Sequence, residues 1–133
     1  MGLHVRTAGT CYATIGVHPC STALIDLHPQ GPTAYLDQLE SLALTGISTS
    51  RIVAFGEIGL DYDRLFLTPK DQQLKYFAAQ LALATRIPPL PLFLHSRAAG
   101  ADFERLVGEV IDKLPRKGVV HSFTGTKEEM WGL

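Results

Sequence analysis

Short apolar runs alternate along this chain with longer segments whose apolar residues recur at the helical period. Ala13 to Val17 reads as a strand that ends at Gly16-Val17-His18-Pro19. Between Thr33 and Leu44, the positions of Leu36, Leu39 and Ala43 predict a helix with one buried face. Ile52 to Phe55 predicts a second short strand, followed by a loop from Gly56 to Leu67. Thr68-Pro69 predicts the start of the best-formed helix, with Thr68 as N-cap, Pro69 at the first helical position and acidic Asp71 in the first turn. Its stripe is Leu74, Phe77, Ala78 and Leu81, and Pro88-Pro89 stops it because proline lacks an N–H and crowds the preceding turn. Leu90 to Leu94 predicts a third strand. Asp102 to Leu114 predicts a third helix with Phe103, Leu106, Val107, Val110, Ile111 and Leu114 on one face, and Gly118 to Phe123 a fourth strand. Thr126-Lys127-Glu128-Glu129 has the capping-box pattern that opens another helix.

Strands that are apolar throughout, joined by helices, make a parallel sheet covered by helices. That leaves a doubly wound sheet or a (β/α) barrel, and no Gly-x-Gly-x-x-Gly or Walker loop supports a nucleotide-binding doubly wound sheet. The polar residues at the strand ends favour the barrel. His18, Glu57, His95 and His121 each fall at or just beyond the C-terminal end of a different predicted strand. In a (β/α) barrel those ends converge on one face, where active sites are built. Glutamate and histidine suit divalent cations such as Zn²⁺, Mn²⁺ or Mg²⁺. A cation held there acidifies a bound water and polarises a substrate oxygen. One histidine at a strand end means little, but Glu, His and His at three successive strand ends is a pattern.

Composition narrows the picture in two ways. A formal net charge of −1 excludes a broad basic surface that coats nucleic acid, yet allows an enzyme that holds a few phosphates with metals and one or two arginines. Cys11 and Cys20 are too few for a disulfide framework or a four-cysteine zinc site, which suggests a reducing compartment, cytoplasm or nucleus. No apolar run reaches the ~20 residues of a membrane helix, and Met1 to Thr10 lack the apolar segment of a signal peptide.

At these residues the chain resembles a known family. Val53-Ala54-Phe55-Gly56-Glu57-Ile58-Gly59-Leu60-Asp61-Tyr62 resembles the signature of TatD-related hydrolases. Leu92-Phe93-Leu94-His95-Ser96-Arg97 is similar to the family's next signature, and Gly118-Val119-Val120-His121-Ser122-Phe123-Thr124-Gly125-Thr126 to the one after. Gly16-Val17-His18-Pro19 matches the element upstream. The stretch from Asp63 to Phe77 is closer to the eukaryotic branch.

The resemblance implies a partial TIM (β/α) barrel, and a metal-dependent deoxyribonuclease that releases nucleotides from a DNA end with two divalent ions, Mg, Mn or Zn. It makes Glu57 the bridging, catalytic metal ligand and His95 and His121 ligands of the second metal. Arg97, two residues after His95 and so on the same strand face, would pair with a substrate phosphate. His18 would touch substrate at the site mouth, and Asp61 would orient a ligand or water, or cap its loop. Gly56 and Gly59 would let the backbone run close beside the site. His28 reads as a structural loop residue. Ser96 faces away from His95 and cannot pair with it as a nucleophile, and Cys20 reads as a free thiol.

Two family elements have no counterpart here. His4-Val5-Arg6 is not the family's first-strand His-x-His, and Leu133 falls before the last strand with its acidic ligand. Residues 1–12 match no motif, and a complete barrel takes about 250 residues and eight strands. Residues 1–133 are therefore expected to form an incomplete barrel of about four strands that tends to self-associate. Hydrolysis of an amide or ester on the same metal platform, or a non-catalytic fragment, are the competing readings.

Overall fold

A computed structural model describes residues 11–121, 123, 124 and 127. The capping box at 126–129 therefore falls almost wholly outside the described residues. Four strands, β1 (Ala13–Ile15), β2 (Ile52–Asp61), β3 (Leu92–Arg97) and β4 (Gly118–His121), form one sheet in the order β1-β2-β3-β4. Every neighbouring pair is parallel, as expected of a partial (β/α) barrel. Parallel neighbours need crossover connections. A short helix α1 (Ala23–Asp26) and the long α2 (Pro32–Ser48), then α3 (Lys70–Arg86) and α4 (Gly100–Gly108), provide them.

The sheet has two unlike faces. Pairing of Phe55 with Leu92 and Ile58 with Leu94 puts apolar side chains toward the helices. There they join a core with Leu39 and Ala43 of α2, Tyr76, Phe77 and Leu81 of α3, and Phe103 and Val107 of α4. Stacked rings of Phe77 and Phe103, 5.5 Å apart, fasten α3 to α4. The opposite face carries the pairs Gly56 with Phe93, Gly59 with His95 and Asp61 with Arg97. The predicted chemistry is thus on the face that the helices leave open, toward the C-terminal ends of the strands.

The main departure from the predicted elements is β2, which runs straight through Gly56–Asp61, where a loop was expected. Gly56 and Gly59 have φ of +152° and +151°, conformations that L side chains rarely adopt. A Cβ on Gly56 would stand 2.0 Å from the Phe93 carbonyl oxygen, and one on Gly59 1.9 Å from that of His95. Here glycine does not break the strand; it lets β2 lie directly against β3. The register shifts between Gly56 and Ile58, leaving Glu57 as a bulge residue turned toward the open face.

Several boundaries also differ. Helix α3 begins at Lys70 with Pro69 in the cap position, and the Thr68 hydroxyl donates to the Cys20 carbonyl at 3.1 Å instead of capping the helix. The same helix ends at Arg86, and Ile87 is extended as residues before proline are. β3 starts only at Leu92, because Pro89 and Pro91 keep the preceding residues out of the ladder. The predicted helix over Asp102–Leu114 is split into α4, ending at Gly108, and a 3₁₀ turn at Ile111–Lys113. Among the described residues no helix is long and apolar enough to cross a membrane.

Candidate metal centre

The site is assembled from β2, β3 and the turn that follows β1. After β1 the chain turns at Pro19 into a 3₁₀ turn, Pro19–Ser21, for which His18 is the cap: its Nδ1 accepts the Cys20 N–H at 3.1 Å. Glu57 comes from the bulge in β2, His95 from the middle of β3, and Asp61 from the last position of β2. Donor atoms of His18, Glu57 and His95 all lie within 4.8 Å of one another. The His18 and His95 rings meet edge to face, 4.7 Å between centroids.

His95 is held from both sides. Its Nδ1 lies 3.0 Å from Glu57 Oε1 and its Nε2 lies 2.9 Å from Asp61 Oδ2. Asp61 is completely buried, whereas the Glu57 side chain is partly open to solvent. A neutral imidazole has one N–H to give. When Nε2–H donates to Asp61, Nδ1 and Glu57 Oε1 face each other as two acceptors. Two lone pairs at that separation are what a shared cation joins, and a carboxylate behind the far ring nitrogen is the usual way a ligand histidine is oriented. The donor chemistry therefore fits a divalent cation between Glu57 and His95.

His18 is different. Its Nδ1 is committed to the Cys20 N–H, so the ring proton of the neutral form sits on Nε2. Burial holds this ring below the ordinary histidine range, and neighbouring His95 lowers it further. The result is a neutral ring offering an N–H to the site; to act as a ligand through Nδ1 it would have to release Cys20. Burial likewise pushes the Cys20 thiol up, with the Asp61 carboxylate adding to it, which suits the inert free thiol expected there.

Two arginines complete the rim. Arg64 Nη1 and Arg97 Nε approach Asp61 Oδ2 at 3.9 and 4.0 Å, beyond hydrogen-bond distance. Among the described residues, Arg97 Nε and Asp61 Oδ1 are both buried without a hydrogen-bond partner, unusual for charged groups and consistent with a site built to receive more polar atoms.

Set against the residues expected from sequence, the structure brings Glu57, His95, Asp61 and Arg97 together, with Asp61 directly behind His95. His18, expected only to touch substrate, lies inside the donor cluster. His121 stands apart from it: it pairs with His95 in register, but it is exposed and its ring lies 5.5 Å from that of Phe93. His28 is structural, its Nδ1 accepting the Gln30 N–H, and Ser96 is buried on the helix side of β3. Sequence reasoning passed over Gln73 and Gln80, both fully buried beside the apolar stripe of α3. Their spacing of seven residues, two helical turns, was the available signal.

A family model for TatD related DNase matches residues 3–132. The chain belongs to the TatD-related DNase family. The match takes in residues 3–12, ahead of the motifs that carry the resemblance. Among curated TatD relatives, the chain is 50% identical over 129 residues to the Schizosaccharomyces pombe protein named deoxyribonuclease Tat-D, covering 96% of this chain and 41% of that one. It is 40% identical over 122 residues to the 3'-5' ssDNA/RNA exonuclease TatD of Yersinia pseudotuberculosis, covering 92% of this chain and 42% of that one. A solved TatD family hydrolase from Entamoeba histolytica superposes with a TM-score of 0.71 at 40% identity, over 90% of this chain and 37% of that one. A solved structure described as an uncharacterized amidohydrolase from Saccharomyces cerevisiae superposes with a TM-score of 0.79 at 29% identity, over 92% of this chain and 45% of that one. The chain thus spans about two fifths of the length of the curated TatD relatives it matches.

Proposed function

We propose that this chain forms part of a metal-dependent phosphodiesterase that cleaves DNA, acting as an exonuclease. The observation that carries the reading is His95 held between the Glu57 and Asp61 carboxylates, with the neutral His18 beside it. The names of the curated relatives, a deoxyribonuclease and a single-strand exonuclease, point the same way.

Glu57 and His95 would hold a divalent cation, Mg²⁺, Mn²⁺ or Zn²⁺. His121, the next strand's histidine on the same face, is the candidate for a second ion that Glu57 would bridge. When bound, such ions supply Lewis acidity, polarising a phosphoryl oxygen and making water more acidic. The remaining work falls to the protein. Asp61 accepts the His95 Nε2–H and keeps Nδ1 turned toward Glu57. His18 presents Nε2–H to a phosphoryl oxygen as a neutral donor. Arg97, whose Nε makes no hydrogen bond among the described residues, pairs with a substrate phosphate, and exposed Arg64 adds charge beside it. Cys11 and Cys20, both free, fit a cytoplasmic or nuclear setting.

The second reading, hydrolysis of an amide or ester, draws on the yeast neighbour described as an amidohydrolase. Arg97, whose Nε makes no hydrogen bond among the described residues, favours phosphate. Full-length protein should be assayed on end-labelled single-stranded DNA and on amide and ester substrates with each metal, beside Glu57→Gln. DNA should be shortened stepwise, and Glu57→Gln should lose at least about a hundredfold in rate, because the amide keeps shape but not charge. Cleavage of an ester but not of DNA, or undiminished DNA cleavage by Glu57→Gln, refutes the proposal.

A further inference from the structure

Two glutamines are completely buried in α3, among Tyr76, Phe77, Leu81, Leu83 and Ala84 as the helix's other buried residues. A buried amide costs free energy unless its hydrogen bonds are made, and both are fully engaged. Gln80 Oε1 accepts the Val17 N–H at 2.7 Å, and its Nε2 donates to the Val17 carbonyl at 3.2 Å and to Tyr76 O at 3.2 Å. Gln73 repeats the arrangement two turns earlier. Its Oε1 accepts the Asp61 N–H at 2.8 Å, and its Nε2 donates to Asp61 O and Thr68 O, each at 2.9 Å.

The recurrence has a physical reason. β1 ends at Ile15, so Val17 has left the ladder while still buried. Among the described residues, the edge of β2 away from β3 has no strand beside it by the time the chain reaches buried Asp61. The peptide N–H and C=O groups at both places must find partners. A primary amide offers an acceptor and a donor side by side, the same two groups a neighbouring strand would present. The seven-residue spacing puts both amides on one face of α3, about 10 Å apart along its axis. One rigid helix therefore grips two strand ends, and each grip lies at a functional side chain. Val17 directly precedes His18, and Asp61 carries the carboxylate that orients His95.

We infer that Gln73 and Gln80 are positioning residues of the metal centre: through Val17 and Asp61 they set where the His18 and His95 rings stand. The consequence for catalysis rests on the proposed function, but the consequence for ring geometry does not.

The test uses full-length protein with Gln80→Met and Gln73→Met, which nearly conserve volume and remove all three hydrogen bonds of each amide. A Leu81→Ala control, in the same helix and core and 1% exposed, lowers stability without removing a hydrogen bond to Val17 or Asp61. Ring-nitrogen NMR resonances are read without metal, then Mn²⁺ affinity and DNA cleavage. Gln80→Met should shift or broaden the His18 ring signals and Gln73→Met those of His95. Each should lower kcat by about 10- to 100-fold, the range for losing a group that orients a ligand. Leu81→Ala, at equal or greater loss of thermal stability, should leave ring signals and kcat within about twofold of wild type, well inside that range. Gln80→Glu and Gln73→Glu, which keep the acceptor and lose the donor, replace any methionine variant that does not fold. Unchanged His18 and His95 signals in the glutamine variants overturn the inference, as does an equal disturbance in Leu81→Ala. If wild type cleaves no phosphodiester, the proposed function fails, and the metal-free ring spectra still decide this one.

Discussion

Alanine in place of Gly59 should destabilise the protein more than the same change at Gly31 or Gly108. The residue sits at φ +151°, and forcing a Cβ into such a conformation costs about 1–3 kcal/mol. The added carbon would stand 1.9 Å from the His95 carbonyl oxygen, where contacts under 3.0 Å are essentially never found, so β2 and β3 must part by about 1.1 Å or more. Overpacking of that kind costs a further ~1–3 kcal/mol, for a total of about 2–6 kcal/mol. The two other glycines separate the contributions. Gly31 has φ +91° and nothing within 4 Å of an added Cβ, so Gly31→Ala should show strain alone, ~1–2 kcal/mol. Gly108 ends α4 with ordinary φ and open space, so Gly108→Ala should be neutral or gain up to about 1 kcal/mol. Urea unfolding of the three variants, followed by far-ultraviolet circular dichroism, gives the order directly. Because the displaced carbonyl belongs to His95, Gly59→Ala should also weaken metal binding even where it folds. A Gly59→Ala protein within about 0.5 kcal/mol of wild type, the range of an ordinary surface change, would refute the close-approach argument.

Single contacts give further expectations. Arg97→Ala should lower kcat/KM for phosphodiesters while leaving metal content intact, since its Nε makes no hydrogen bond among the described residues; a parallel fall in bound metal would show that it holds the site together instead. The Tyr62 hydroxyl donates to Asp102 Oδ2 at 2.6 Å and, ahead of the nearby Arg105 and Lys70 charges, holds that carboxyl below its ordinary range. A depressed carboxylate pKa stabilises the fold above the unfolded value of about 4 and loses that contribution as pH falls through the folded value. Tyr62→Phe should therefore lower stability most at neutral pH, with the difference from wild type narrowing below about pH 4; a pH-independent difference in urea titrations would refute this. Residues 1–133 made alone should associate as concentration rises. Among the described residues β1 and β4 are the edge strands, and the open face carries a cavity of about 410 Å³ lined in part by Thr14, Ala54, Phe93 and Val119. Light scattering that shows a monomer at all concentrations would contradict that.

The order of strands and helices, and the placing of Glu57 and His95 on neighbouring strands, could be read from the chain alone because both are local, although the two residues lie within β2 and β3 and not at their ends. Apolar periodicity names the element, and a short motif names the polar residue it carries. Where a signal depended on a distant partner, the sequence was silent or misleading. Gly56 and Gly59 read as loop until the backbone of β3 is laid against them, a contact between segments separated by the whole of α3. Asp61 could equally have capped its loop, and only the packing of β2 on β3 puts its carboxylate behind the His95 ring. For His18, the hydrogen bond from Cys20 decides which nitrogen faces the site. Gln73 and Gln80 look like surface amides in a helical pattern, because nothing local to α3 says that two strand ends lie behind it. Side-chain chemistry is written residue by residue, but a hydrogen-bond partner 12 to 63 positions away exists only once the sheet has formed.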